Sequence, residues 1–288
     1  MFADDTNLFL SNKNIDTLFS DMNNELNKMT IWFKANKLSL NIGKTKWSLF
    51  HPSSKKRFIP DTLPILTMDN IKISRESTTK FLGVLIDENL NWKSQIDFVK
   101  NKVSKSIGIL YRTREFLNKK DLTQLYFAFI HSYINYACIA WASTHKTKLE
   151  PLLRKQKHAM RVINFKDRYT HAAPLFLDIN ALNIYKLNIY NILCLVYKCK
   201  NKTCPPVFHN IYTEKPPNKY CLRNNGILQE PRCKTKISQF GVNYRAPHLW
   251  NKLILEKKND ISNYEYFPLF QLELKEYVLS LDNIEQFF

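Results

Sequence analysis

The chain has 288 residues, 44% of them hydrophobic, which suffices for about two domains with real cores and excludes a disordered polypeptide. Its 43 Lys and Arg against 25 Asp and Glu leave a formal charge of +18 and a pI near 9.5. That excess favours polyanions over acidic small substrates or neutral partners.

The first element is Phe2-Ala3-Asp4-Asp5, followed by the strand-like Leu8-Phe9-Leu10. Adjacent carboxylates repel unless a cation lies between them. Hard divalent ions such as Mg²⁺ take oxygen ligands, so a paired-acid turn between apolar segments points to phosphoryl transfer on a nucleotide. The plainer alternative is an Asp-rich turn whose side chains cap their own backbone.

Next, Leu18, Phe19, Met22, Leu26, Met29 and Trp32 or Phe33 recur at helical steps. The pattern predicts an amphipathic helix from Asn14 to Trp32, with Asn14 as N-cap and Asp16 in the first turn. Leu38-Ser39-Leu40 alternates like a strand, and Lys46 to Phe50 is a second strand candidate. Residues 51 to 64, with three prolines and two serines, read as a loop. Ile71 to Ile73 and Phe81 to Ile86 are two further expected strands, joined by the polar segment Ser74 to Lys80. Gly83 falls inside the second, where a glycine permits a bulge or the close approach of another backbone.

Beyond Trp92 the period becomes helical. Ile96, Val99, Val103, Ile107 and Leu110 share one face, while Lys102, Lys105 and Arg112 gather on roughly the opposite side. Such a helix can lie along a nucleic acid and contact phosphates, or simply be a solvated surface helix. Leu122 to His145 contains no acidic or basic Asp, Glu, Lys or Arg. Thr123, Gln124, His131, Ser132 and Asn135 interrupt it, so a core helix is expected here rather than a membrane span, with bulk from Tyr126, Phe129, Tyr133, Tyr136 and Trp141. The acidic first residues do not read as a secretory signal.

Charge is locally dense. Lys44, Lys46, Lys55, Lys56 and Arg57 have no acid among them, and residues 146 to 168 carry eight Lys and Arg against Glu150 and Asp167. Single runs of this kind are commonly solvated faces; several in one chain favour a polyanionic partner. Ile179 to Val196 reads as another apolar helix, followed by a linker with Pro205-Pro206 and Pro216-Pro217. Residues 219 to 250 mix Lys219, Tyr220, Arg223, Arg232, Lys234, Lys236, Phe240, Tyr244, Arg245 and Trp250, which suits single-stranded nucleic acid, with ordinary core aromatics as the alternative. Cys194, Cys199 and Cys204 are five apart, a spacing that scatters side chains by about 140° per step on a helix. Cys221 and Cys233 complete no zinc-type spacing, with or without His209. Free thiols in a reducing, intracellular compartment are the expectation.

Phe2-Ala3-Asp4-Asp5-Thr6 resembles the aromatic-Ala-Asp-Asp-Thr motif of reverse transcriptases of non-LTR (LINE-like, jockey-like) retrotransposons. In the expected order there follow Trp32, Asn36-Lys37-Leu38-Ser39-Leu40-Asn41 with Lys44-Thr45, and Phe81-Leu82-Gly83-Val84-Leu85-Ile86-Asp87 with Leu90 and Trp92. These are similar to the family's Trp…Asn-x-Leu-x-Leu-Asn-x-x-Lys-Thr stretch and its Phe-Leu-Gly hairpin. Weaker likeness runs through Tyr133 to Trp141, Gln156 to Ile163 and Leu249 to Leu253.

The resemblance implies an α+β chain: a partial polymerase palm of antiparallel strands plus a helix over 1–92, a helical thumb-like region over 93–170, and a basic C-terminal domain over 171–288. It implies an RNA-directed DNA polymerase, a nucleotidyltransferase acting on an RNA template, a DNA primer and deoxynucleoside triphosphates. Asp4 and Asp5 would hold Mg²⁺, with Mn²⁺ as the alternative ion. Lys44 would neutralise or protonate the leaving group, unless it is an ordinary solvated lysine. Phe81, Leu82 and Gly83 would place the primer end, and Lys102, Lys105 and Arg112 would contact nucleic acid. In the family the fingers and a further metal-binding Asp precede the acid pair, whereas one residue precedes Phe2 here. The expectation is therefore a truncated chain, inactive by itself. The alternatives are a non-catalytic nucleic-acid-binding protein derived from such an element, or a decayed fragment.

Overall fold

The computed structural model describes residues 6–52, 59–215, 226–257 and 266–281. Asp4, Asp5, Lys55, Lys56, Arg57, Pro216, Pro217, Lys219, Tyr220, Cys221 and Arg223 lie outside the described residues. The architecture is α+β, mostly helical with a few two-stranded sheets, and the chain divides into two units, Met1–Ser94 and Gln95–Phe288.

In the first unit, α1 (Ile15–Ala35) starts where the sequence predicts, because the Asn14 side chain accepts a hydrogen bond from the Thr17 amide at 3.2 Å. Phe19, Leu26 and Phe33, spaced by seven, form its buried ridge, with Ile15, Met22 and Met29 packed beside them. Trp32 is exposed, so of the two residues that could end the stripe Phe33 does. The helix closes in a Schellman turn: Lys37 is left-handed at φ 57°, its amide reaches Lys34 O at 3.1 Å, and the Leu38 amide reaches Phe33 O at 2.9 Å. Leu38 is thus part of a helix stop, and Leu38-Ser39-Leu40 does not form the strand its alternation suggests.

Six short strands follow: β1 (Lys46–Trp47), β2 (Thr67–Met68), β3 (Ile71–Lys72), β4 (Ser74–Arg75), β5 (Thr78–Phe81) and β6 (Val84–Asp87). The β2–β3 and β5–β6 pairs are antiparallel and β1–β4 is parallel; among the described residues no sheet exceeds two strands. Both hairpins close through two residues at positive φ, Asp69 (53°) with Asn70 (62°) and Leu82 (45°) with Gly83 (83°). Two positive φ values match the right-handed twist of the strands, the geometry of a type I′ turn. Gly83 therefore does not interrupt a strand from Phe81 to Ile86, and Ser74 to Lys80 is not a plain connection but contains β4 and most of β5.

Phe19, Leu26 and Phe33 meet Leu66, Met68 and Ile73 in one core. Trp47 packs edge-on to Phe19 at 5.2 Å, and its indole donates to Ile73 O at 3.1 Å. The Asn23 side chain clamps α1 to the strand edge, donating to Ile65 O and accepting from the Thr67 amide, both at 3.1 Å.

In the second unit, α2 (Lys93–Thr113) buries Ile96, Val99, Val103, Ile107 and Leu110, the face its periodicity marks. The uncharged stretch is not one helix. It comprises the end of α3 (Lys119–Tyr126), a π-helical turn at Phe127–His131, α4 (Ser132–Asn135) and α5 (Cys138–Trp141), with Ala137 left-handed at φ 49°. The break changes what is buried: Tyr126 and Trp141 are in the core, while Phe129, Tyr133 and Tyr136 are exposed. Among the described residues no helix is long and apolar enough to cross a membrane.

The remaining helices are α6 (Lys146–Ile163), α7 (Ala173–Asp178), α8 (Ile184–Lys200), a 3₁₀ turn at Pro206–Phe208, α9 (Lys236–Phe240), α10 (Val242–Lys257) and α11 (Phe267–Ser280). The apolar segment expected from Ile179 starts as a helix only at Ile184, because Asn183 accepts from the Lys186 amide at 3.0 Å and fixes the N-terminus there. α8 is apolar on nearly all sides and packs against α5, α6, α10 and α11, as a central helix must.

Several buried polar side chains in this unit are paired, whereas His131 Nδ1 and Trp250 Nε1 are buried without a hydrogen-bond partner among the described residues. Gln156, fully buried, donates to Tyr126 Oη at 2.9 Å and Leu182 O at 3.1 Å, and accepts from the Ile184 amide at 2.9 Å. One amide thus joins α3, α6 and the start of α8. Burial pushes the Tyr126 phenol well above its ordinary value, so it stays neutral. Asn188, also fully buried, donates to Cys138 O at 3.1 Å and accepts from Arg245 at 2.9 Å. Burial lowers the Arg245 guanidinium to about 10. Arg245 and Trp250 are therefore core residues, not members of an exposed stacking surface.

Candidate nucleic-acid interface

In the first unit the described residues of interest lie on turns. Lys44 is exposed on an Asn41-centred turn, where its amide reaches Asn41 O at 3.0 Å and Asn41 Oδ1 at 3.2 Å. Leu82 and Gly83 form the exposed tip of the β5–β6 hairpin, and half-buried Phe81 sits edge-on to Phe9 with ring centres 6.0 Å apart. Asp4 and Asp5 lie outside the described residues, so no geometry bears on whether they fit Mg²⁺. Among the described residues no group of three or more His, Cys, Asp or Glu side chains is placed to hold a metal.

The sequence presents Asp87 only as the end of the Phe81–Asp87 motif, with no role of its own. Asp87, 6% exposed at the end of β6, accepts from the Asn91 amide at 3.0 Å and the Trp92 amide at 2.7 Å. It closes a turn in which Leu90 (φ 52°) and Trp92 (φ 63°) are both left-handed, an unfavourable backbone for large side chains. The Asp-x-x-x-Asn-Trp spacing is the signal that marks such a turn.

In the second unit, Lys105 and Arg112 are seven residues apart and so within about 20° of each other around α2. Both are exposed on the side away from the core. Lys102 lies at the flank, half-buried, with its ammonium 5.6 Å from the Phe98 ring centre and 5.8 Å from that of Tyr133. Two partly exposed aromatic faces beside one cation make a small stacking platform.

On the other flank of α2 a cleft of about 440 Å³ opens towards α6. Arg112, Tyr111, Gly108, Ile107 and Ser104 line it from α2, and Lys155 and His158 from α6. No carboxylate is among these residues. Gly108 has open space on its side-chain side, which keeps the floor of the cleft accessible. Partial burial first, then the charges of Lys155 and Arg161, lower the His158 pKa, which favours the neutral imidazole. Tyr111 is well exposed beside Arg112 and carries the Arg114 guanidinium 5.5 Å from its ring centre.

The structure thus joins Arg112 to two members of the dense basic run over residues 146–168. In the sequence they stand in separate segments. The pairing follows from the buried face of α6, where Leu152, Gln156, Ala159 and Met160 face the core and leave Lys155 and His158 at its border.

The chain matches no protein-family profile, no curated protein and no solved structure. The cleft and the motif series are therefore what a functional reading stands on.

Proposed function

We propose that this chain is a nucleic-acid-binding part of an RNA-directed DNA polymerase of non-LTR retrotransposon descent, and that it engages the phosphate backbone through the α2–α6 cleft. The observation that carries the binding reading is the convergence of Arg112, Lys155 and His158 on an acid-free cleft beside Tyr111, in a chain of charge +18. The cations would neutralise phosphates and release counterions, and the exposed aromatic rings of Tyr111 and Tyr133 would stack on unpaired bases. The descent rests on the motif series from Phe2 to Trp92, and it makes RNA template, DNA primer and deoxynucleoside triphosphates the partners of the parent activity.

In that activity Asp4 and Asp5 would ligate Mg²⁺ or Mn²⁺, and the ion would supply charge stabilisation for phosphoryl transfer. Lys44 would offset leaving-group charge, and Phe81, Leu82 and Gly83 would position the primer end. These 288 residues carry two of the three carboxylates the resemblance calls for. By themselves they are expected to bind nucleic acid without extending a primer.

The test is fluorescence anisotropy of the full-length chain with labelled single-stranded and duplex oligonucleotides over a salt series. Binding that weakens linearly in log affinity against log salt, with a shallower slope for Arg112→Ala/Lys155→Ala and no change for Asp4→Ala, supports the cleft. Equal slopes for that double variant and the parent would refute it. Metal-dependent primer extension lost in Asp4→Ala would overturn the non-extending reading while leaving the descent intact.

A further inference from the structure

Cys199 and Cys204 come together because α8 ends in a Schellman turn. The Thr203 amide donates to Lys198 O at 2.9 Å and the Lys202 amide to Cys199 O at 3.2 Å, with Lys202 left-handed at φ 53°. This fold-back returns the chain onto the last helical turn. It places Cys204 Sγ 3.7 Å from Cys199 Sγ, although their five-residue spacing would separate them on a continuous helix. Cys204 is held from the other side, since His209, just after the 3₁₀ turn, places Nε2 2.7 Å from Cys204 O. The Cys204-Pro205 bond further restricts the backbone at Cys204. The two thiols differ in access: Cys199 is buried and Cys204 is partly exposed.

The geometry points to Cys199 and Cys204 as a dithiol that a small disulfide such as glutathione disulfide oxidises to an intrachain Cys199–Cys204 bond. Cys204, the accessible partner, loses its proton and attacks one sulfur of the oxidant, expelling one glutathione thiolate and leaving a mixed disulfide. Cys199 then loses its proton and attacks the Cys204 sulfur, expelling the second thiolate. The two protons lost by the cysteines are taken up by the two leaving groups. One oxidant disulfide is reduced to two thiols and one protein disulfide is formed. The sulfurs need to close by less than 2 Å to reach bonding distance, about 2.05 Å, and the second step is intramolecular, which favours it over release of the mixed disulfide. Burial and the neighbouring Cys204 push the Cys199 thiol up to about 12, so ring closure accelerates as pH rises. The product pins the segment from Thr203 to His209 onto the end of α8. None of this depends on the nucleic-acid reading.

The experiment exposes the fully reduced, full-length chain to glutathione disulfide, blocks the remaining thiols and maps tryptic peptides by mass. Lys200 and Lys202 lie between the two cysteines, so the bond joins two peptides that dithiothreitol separates. The expected result is loss of two of the six thiols with a single 199–204 link. Cys204→Ser, a replacement at the partly exposed partner, retains all its remaining thiols under the same treatment. Cys199→Ala stops at a glutathione adduct on Cys204. A link to Cys194, Cys233 or a second chain, or equal thiol loss in Cys204→Ser with a native far-ultraviolet spectrum, would overturn the assignment.

Discussion

The unit ending at Ser94 and the unit beginning at Gln95 are built on different terms. In the first, the buried apolar side chains among the described residues are Phe19, Leu26, Phe33, Leu66, Met68, Ile73 and Val84, and much of the remaining order comes from the Asp87 turn, the Asn23 clamp between α1 and the strand edge, and two I′ hairpins. In the second, α8 alone buries Ile184, Leu187, Ile189, Ile192, Leu193, Val196 and Tyr197, and fully buried amides tie the helices around it. Among the described residues, Lys44 and the Leu82-Gly83 tip, both from the motifs that resemble a polymerase, are exposed on turns of the thinly cored unit, whereas the acid-free cleft sits on the densely cored one. Fold stability and the proposed nucleic-acid binding are therefore expected to be separable in the second unit, because the cleft's cations take no part in its core.

The comparison breaks most sharply at Gln156. Gln156→Ala leaves the Tyr126 hydroxyl and the Ile184 amide without their partner, so a loss of about 3 kcal/mol is expected in urea denaturation. Hydrogen exchange should accelerate in α3, α6 and α8 and stay unchanged in α1. The matching test in the first unit is Asp87→Ala, with an expected cost of about 2 kcal/mol as two charge-assisted turn hydrogen bonds disappear. Exchange should then rise at Asn91 and Trp92 first.

Next in size is binding. Arg112→Ala/Lys155→Ala should weaken oligonucleotide affinity about tenfold, roughly 1.4 kcal/mol, with the denaturation midpoint unmoved. Unaltered affinity would place the binding surface elsewhere. Asn183→Ala should cost about 1 kcal/mol of stability through the lost cap of α8, with no effect on that affinity.

The smallest effect is pH. Partial burial first, then the charges of Lys155 and Arg161 on α6, hold the His158 pKa below the ordinary value of about 6.5, and Arg112 on α2 lines the same cleft. A phosphate bound in the proposed cleft would reverse that bias and raise the pKa, so binding would take up a proton and tighten as pH falls through the imidazole range. In the free chain the sign is opposite: a depressed imidazole pKa lets the unfolded state bind the proton first, so its contribution to stability is lost as pH falls. A few-fold gain in affinity from pH 7.5 to about 6, absent in His158→Gln, is expected in the same anisotropy assay.

Much of the helical content was legible from spacing alone. Asn14 and the Phe19-Leu26-Phe33 ridge announce α1, and Ile96 to Leu110 announce the buried face of α2, because a 3.6-residue period and a cap act locally. Strands were harder. Leu38-Ser39-Leu40 alternates like one yet closes a Schellman turn, and Phe81 to Ile86 reads as one strand although Leu82 and Gly83 reverse it. The run from Leu122 to His145 misled for another reason. Its hydrophobicity is continuous, but a π-helical turn and a left-handed Ala137 rotate successive segments, so Phe129, Tyr133 and Tyr136 face outwards. For the candidate site, Arg112 and the basic run over 146–168 were each visible, but their shared cleft was not.

By itself the sequence determined composition, charge, the cap at Asn14, the apolar faces of α1 and α2, and the order of motifs on which the proposed polymerase descent rests. These are properties of neighbours along the chain. Only the tertiary structure decided that Arg112 meets Lys155 and His158, that Gln156 joins three helices, and that Cys204 returns to Cys199. Each depends on where a helix stops and which face the core takes up, and those choices are settled by burial and hydrogen-bond satisfaction between segments distant in sequence or turned back on themselves.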